Sequence, residues 1–288
     1  MQESFVYFSR EISSEKLLEV YKKFDIELKE KVAIKVHSGE KGNQNFLRPE
    51  FYKKLIDYVG GTVVECNTAY EGERNTSAKH LKLLEEHEWT KFYDVDLLDE
   101  DGSEYKLPVE NGKHLKINYL GGKIENYKSL LVLSHFKGHP MGGYGGALKN
   151  ISIGLASSHG KAVIHGAGNP EKIWTAAQDD FLESMAEASK TVVDYFKENI
   201  LFINVMTNMS VDCDCCAKAE DPCMKDIGIL ASYDPVALDQ ACVDLVYKSE
   251  DEGKKHLIER IESKNGLHTI DEAERLKVGN KKYKLIEL

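Results

Sequence analysis

Four of the six cysteines fall within eleven residues: Cys213, Cys215, Cys216 and Cys223. The stretch that carries them, Val-Asp-Cys-Asp-Cys-Cys-Ala-Lys-Ala-Glu-Asp-Pro-Cys, is acidic and polar. Thiols crowded there are hard to explain as core packing. Thiolates are soft ligands for zinc, copper(I) and iron–sulfur clusters. In a reducing compartment, clustered cysteines serve metals or catalysis more often than disulfides. Four of them could close a tetrahedral zinc site. The spacing C-x-C-C-x6-C is neither a repeated C-x2-C pattern nor a bacterial ferredoxin run. Incidental loop thiols are the alternative. Cys66 and Cys242 fall in strand and helix patterns and read as core.

A second chemical segment runs from Ser134 to Asn150. His135 and His139 lie four apart with Lys137 between them, and all three are candidates for catalysis. Gly138 and Pro140 argue against a regular helix there, so the spacing alone is no chelate. Gly142, Gly143, Gly145 and Gly146 let backbone N–H groups approach a ligand closely. With Lys137 and Lys149 they predict an anion or phosphate cradle. The order is not that of a P-loop. A tight turn with solvated lysines is the plainer reading.

Other candidates are more scattered. His165, like His159, could join the cysteines as a mixed ligand, and Lys161 adds a cation. Arg74 could clamp a carboxylate or phosphate, with Glu40, Lys41 and Asn43 on a neighbouring polar loop. Asp234 precedes Pro235 as a helix cap and is also a catalytic candidate. Asp239, one turn on, needs a partner if buried. Solvated loop charges and structural histidines are the ordinary alternative for all of these.

The elements that must position these residues alternate. Apolar runs at 31–36, 62–65, 129–133, 201–205 and 227–230 carry little polar alternation, as strands buried on both faces of a parallel sheet do. Helical stretches follow at 49–59, 77–88, 171–198 and 235–247. Segment 94–119, with Asp101-Gly102 and Asn111-Gly112, predicts a small antiparallel excursion. Residues 283–288 could add an edge strand. The chain therefore reads as α/β: one domain over residues 1–288, built on a mainly parallel sheet flanked by helices. Polar loops follow almost every strand. In open α/β sheets ligands bind beyond the carboxyl ends of the strands, so these loops are expected to converge.

The chain has 288 residues, ample for a core, and a formal charge of 38 − 48 = −10. Such an acid excess argues against a general nucleic-acid or membrane binder. No signal-peptide pattern or membrane-length apolar run is visible. A cytoplasmic protein is expected.

Several of these motifs together resemble the DUF362 family. They are Lys35-Val36-His37 with Gly39 to Asn43, then Asn67-Thr68-Ala69-Tyr70 with Arg74-Asn75, then Ser134-His135-Phe136-Lys137-Gly138-His139 with Gly145 to Asn150. Gly160-Lys161, His165, Cys213-Asp214-Cys215, Asp226-Ile227-Gly228, Ser232, Asp234-Pro235 and Asp239-Gln240 complete the set. The likeness spans roughly residues 30 to 275. Members of the family are uncharacterised and often described as iron–sulfur proteins. Many carry a ferredoxin-like insertion with two four-cysteine runs after the position of His165. This chain passes from His165 directly to the stretch at 171–198, so the resemblance implies the core without those clusters. Cys213 and Cys215 match the family pattern; Cys216 and Cys223 lie outside it.

The leading expectation is a protein holding a metal ion or iron–sulfur cluster, iron–sulfur or zinc. Its ligands would be Cys213 and Cys215, helped by Cys216, Cys223 or a histidine. It would act on a small anionic molecule by redox or metal-assisted chemistry, and a redox role would bring an electron-transfer partner. One alternative is a metal-free protein for a phosphorylated or nucleotide-like ligand. Another is a purely structural zinc site.

Overall fold

In the computed structural model, which describes residues 4–28 and 30–288, the apolar runs become the middle of one large sheet. Strand β1 (Ser4–Ser9) and helix α1 (Ser14–Tyr21) come first, then β2 (Val32–Lys35), α2 (Pro49–Val59), β3 (Thr62–Glu65) and α3 (Ser77–Glu86). A short α4 (Trp89–Phe92) leads to β4 (Val95–Leu97), β5 (Glu104–Pro108), β6 (Ile117–Gly121) and β7 (Ser129–His135). Next are β8 (Lys137–His139), β9 (Gly143–Gly145), α5 (Ala147–Ser152), α6 (Ser158–His165) and α7 (Gln178–Phe196). The last elements are β10 (Ile200–Met206), β11 (Gly228–Ser232), α8 (Pro235–Lys248), α9 (Lys254–Ser263), α10 (His268–Arg275) and β12 (Tyr283–Glu287).

Eight strands pair in the order β12-β1-β11-β10-β7-β2-β3-β4. The run from β10 to β4 is parallel, and β12 is parallel to β1. Both faces are covered. Val32, Ile34, Leu131, Leu133, Leu201 and Ile203 pack on one side with Leu17, Tyr52, Leu55 and Trp89 from the helices α1 to α4. Ala33, Leu130, Val132 and Phe202 pack on the other with Leu148, Ala186, Leu238 and Ile270 from α5, α7, α8 and α10. Each strand feeds both cores by alternation, which is why these runs carry almost no polar residues. The chain is thus α/β: a mainly parallel sheet with helices on both faces.

Four expectations are corrected in detail. The run at 227–230 becomes β11, but it is antiparallel to both its neighbours. Met206 at the end of β10 pairs with Gly228 at the start of β11, so loop 207–227 leaves and returns at the same sheet end. A parallel strand needs a crossover, usually a helix, to carry the chain back, and that loop holds none. Of the segment 94–119, β4 joins the main sheet as its parallel edge; only β5 and β6 form an antiparallel hairpin, with Asn111 at φ 57 in the turn. The helix at 77–88 stops at Glu86, and Glu88 (φ 63) turns the chain so that Trp89 is buried and donates its indole N–H to the Ser38 carbonyl. The stretch 171–198 divides into a turn at Pro170–Lys172 and α7, whose first turn carries Asp179 and Asp180 where the helix dipole favours acids.

Candidate thiol and anion site

Because β2, β3, β7 and β10 point the same way, the loops after them meet in one cavity of about 320 Å3. Lys35 and His37 enter it from β2, Glu65, Tyr70 and Arg74 from β3, and Ser134, His135, Lys137 and His139 from β7. Cys215 and Cys216 come from the loop after β10. The helices beyond β7 add Lys149, Asn150, Lys161 and His165. Trp174, 64% exposed, stands at the mouth opposite Tyr70, ring centroids 6.4 Å apart.

The cysteine loop is held from below by an acid. Asp214, between two thiols in sequence, is 1% exposed and accepts from His135 Nδ1 at 2.9 Å and Lys137 Nζ at 2.9 Å. Burial opposes its charge, but His135 and Lys137 outweigh it and hold the carboxyl well below the usual range. His135 Nε2 faces the Thr207 carbonyl at 2.6 Å, so the ring is arranged to donate from both sides. The loop backbone is pinned by Glu40 N–H to the Asp214 carbonyl and by Asn43 Nδ2 to the Cys216 carbonyl. Glu40 itself is clamped by Arg74 Nε at 3.1 Å. Glu40 and Asn43 therefore build the loop rather than line the cavity, and Lys41 pairs outward with Glu86.

The thiols then sit against imidazoles. His139, Cys213 and Cys215 have ligand atoms within 4.8 Å of one another and could hold a metal ion. His139 Nε2 is 3.9 Å from Cys215 Sγ, and His37 Nε2 is 3.9 Å from Cys213 Sγ. Burial, and hydrogen bonding with Cys215, oppose ionisation of Cys213, yet its thiol lies below the ordinary range because Lys149 and Lys137 stand close. Cys216 lines the cavity beside them, its own pKa lowered by its hydrogen bond to Cys215. Cys223 is elsewhere: its thiol donates to the Met209 carbonyl. The group fits a single ion. With Cys216 beside it the site holds three thiols, one fewer than a four-cysteine iron–sulfur cluster takes.

His165 lines the same cavity but is not in the group of His139, Cys213 and Cys215. Its Nδ1–H donates to the Lys161 carbonyl at 2.8 Å and its ring stacks on Phe181, which leaves Nε2 as a bare lone pair. Burial, with Lys149 and Lys161 near, pushes its pKa down to about 4. Those two ammonium groups disfavour a cation at that nitrogen.

The cavity wall is cationic. Lys35, Arg74, Lys137, Lys149 and Lys161 line it against one carboxylate, Glu65. Glu65 is spent on Lys35 at 2.5 Å and on the Ser38 N–H at 2.8 Å. Burial opposes its ionisation, but Lys35 outweighs this and holds it well below the usual range. Lys137 is balanced by Asp214 and Arg74 by Glu40. Among the described residues no carboxylate neutralises Lys149, and Lys161 has only the Ala156 carbonyl, with its pKa lowered by burial.

The glycines are also held by the fold itself. The Gly142 N–H goes to His139 Nδ1, and Gly143 and Gly145 pair as β9 with β8. The next two amides, Ala147 and Leu148, are taken by the buried Asp239 at 2.8 and 3.0 Å. A Cβ on Gly146 would sit 2.4 Å from Asp239 Oδ1, so the glycine makes room for an internal carboxylate. The Gly142, Ala147 and Leu148 amides are therefore already used, while Gly145 and Gly146 line the cavity beside Lys149. Asp234 is displaced altogether. Since β11 runs backwards, Asp234 lies at the opposite end of the sheet, capping α8 through Val236 and Ala237 and accepting from Ser4.

Sequence reasoning gave Lys35, Glu65 and Asp214 no role of their own. The usable signal was a charge inside or ending an apolar run, as in Val-Ala-Ile-Lys and Thr-Val-Val-Glu; a buried charge must be paired. A second mixed group lies apart, where Glu183 Oε2 meets Lys113 Nζ and His114 Nε2, both at 2.6 Å. His268 Nε2 reaches its other oxygen at 3.2 Å, and Asp180 is 3.8 Å from His114. Lys113 stands where a cation would bind.

The family model described as "Domain of unknown function (DUF362)" matches residues 32–244, and the chain belongs to that family. No functionally curated protein matches it. Among solved structures it is similar to the lactate racemase apoprotein from Thermoanaerobacterium thermosaccharolyticum, at 12% identity and TM-score 0.41, over 70% of this chain and 50% of that one. It is also similar to a protein from Thermotoga maritima, at 11% identity and TM-score 0.44, over 91% of this chain and 59% of that one. The chain thus spans half to three-fifths of their length. Among the described residues no helix is long and apolar enough to cross a membrane.

Proposed function

We propose that this DUF362 chain binds a small anionic molecule, such as a carboxylate or phosphate ester, beside a metal ion held on the cysteine loop. The observation that carries the reading is the shared cavity: five cationic side chains against a single, already paired carboxylate, with Cys215 and Cys216 opening into the same space. A bound ion would supply Lewis-acid or redox chemistry there. The chain's own residues would do the rest. Lys149 and Lys161 attract the anion, and Arg74, fixed by Glu40, is held rigid at the wall. His165 Nε2 offers a lone pair that accepts a hydrogen bond and stays unprotonated at neutral pH. Trp174 and Tyr70 restrict water at the mouth.

Elemental analysis of protein purified without oxygen tests the metal. Thermal stabilisation by inorganic phosphate tests the anion. Stoichiometric metal and a phosphate-dependent rise in Tm are expected; absence of both would overturn the reading. Phosphate stabilisation in metal-stripped and native protein alike, with no metal present, would favour a metal-free anion-binding protein. The unneutralised Lys149 is the observation that supports that second reading.

A further inference from the structure

The four imidazoles around the thiols are not alike, and the backbone decides the difference. His139 Nδ1 accepts two amide hydrogens, from Met141 at 3.1 Å and Gly142 at 2.8 Å. A nitrogen that accepts N–H groups carries no proton of its own. The proton of the neutral ring is then on Nε2, the atom aimed at the cysteines. His37 repeats the pattern: Nδ1 accepts the Gly39 N–H at 3.2 Å, and Nε2 faces Cys213. Its Nδ1 is 4.0 Å from Asp214, beyond hydrogen-bond reach. Histidines that bind metals do the reverse, donating from one nitrogen to an acceptor and giving the other nitrogen's lone pair to the ion. In this site only His165 has that polarity, and it stands against two lysines.

We propose that Cys213 and Cys215 hold a soft metal ion through sulfur, with Cys216 as the adjacent third thiol, and that His37 and His139 are N–H donors to those sulfurs rather than ligands. The inference rests on the metal reading above and sharpens it. Soft d10 ions prefer thiolates over imidazole, and hydrogen bonds to the sulfurs tune such centres. Ligation by His139 Nε2 would require the turn at 141–142 to let go of Nδ1, and two short amide contacts resist that. His37 and His139 are thus positioning residues.

The test uses the full chain, labelled with nitrogen-15 at histidine and loaded with cadmium-113. Without metal, both rings are expected as the Nε2–H tautomer. With cadmium, stoichiometric uptake is expected with no cadmium–nitrogen coupling to either ring. His139→Gln, which keeps an N–H, should retain the ion and the thiolate-to-cadmium absorption; His139→Ala should retain the ion but shift that band. Loss of cadmium in Cys213→Ser with Cys215→Ser completes the expected set. An Nδ1–H tautomer at His139, or cadmium coupling to its Nε2, overturns the assignment, as does cadmium loss in a folded His139→Ala. A wild-type chain that takes up no cadmium overturns the metal site itself. That failure is separable, because the tautomers are read on the metal-free protein.

Discussion

Asp214 and Glu183 each gather imidazole and a lysine ammonium, and the two groups end in different states. Glu183, at the meeting of α7, α10 and the loop before β6, takes Lys113, His114 and His268 on its two oxygens. Glu187 beside it takes the backbone amides of Lys113, His114 and Leu115. Every donor there is matched. Asp214 is equally saturated, by His135 and Lys137, but it supports groups that are not: three thiols, Lys149 and the bare nitrogen of His165. The first arrangement is a fastening between elements. The second uses a satisfied ion cluster as the floor of an unsatisfied site. Residue type does not separate structure from function here; what is left over after pairing does.

The sharpest way to break the comparison is metal content. Cys213→Ser with Cys215→Ser should remove all bound metal, read by elemental analysis, while His114→Gln should leave it unchanged. Metal lost from the second variant would mean the fastening is the metal site.

Next in size is the cost of uncoupling a charge. Lys35 is 1% exposed, so Glu65→Gln strands its ammonium in the interior. A loss of about 3–5 kcal/mol is expected by urea unfolding. Glu183→Gln frees Lys113, which is 59% exposed and can turn to water, and should cost about 1 kcal/mol. Equal costs would erase the distinction in burial.

Acid should separate the regions by window. His80 and His165 have pKa values pushed down to about 3 and about 4 by burial. Below pH 6.5 the unfolded chain takes protons these rings refuse when folded, so stability falls as pH drops from 6.5 toward 4. Asp239, raised to about 6 by burial, works oppositely: it keeps its proton when folded and offsets one of the two. The net single proton gives a slope of about 1.4 kcal/mol per pH unit near pH 5; His139 steepens it when no ion is bound. Glu183 lies down at about 2: burial opposes its charge, and Lys113, His114 and His268 outweigh it. Its contribution is full above pH 4.5 and disappears only as pH falls toward 2. Urea midpoints from pH 7.5 to 3 read both windows; a flat profile between 6.5 and 4.5 would contradict the buried-imidazole account.

The smallest effect concerns the anion. Lys149→Ala should weaken inorganic phosphate binding by about tenfold, the loss of one charge-assisted contact, whereas Lys113→Ala should not change it. Isothermal titration distinguishes the two.

Much of this was legible in the residues. The central strands announce themselves because burial on both faces demands unbroken apolar runs, and the polar loops after Val36, Glu65 and Leu133 follow from where parallel strands end. The direction of β11 was not legible, since Gly-Ile-Leu-Ala-Ser reads alike in either orientation; only the absence of a crossover in 207–227 reverses it, and Asp234 goes with it. The glycines were noticed but their partner, Asp239, lies far along the chain. Asp214 was hidden as one more acid in an acidic loop. The proton positions on His37 and His139 depend on amide directions that no side-chain pattern encodes.

The pairing of β1 bears on how the protein is made. Its neighbours in the sheet are β11 and β12, both synthesised more than 200 residues after it. At about 5–20 residues per second, the first strand leaves the ribosome on the order of 10–40 s before either partner exists. Its alternating Phe5, Tyr7 and Val6, Phe8 would stay unpaired for that time, a window for chaperone capture or misassembly. A nascent chain stalled before β11 should therefore remain protease-sensitive at 4–9, even when the parallel centre has already formed.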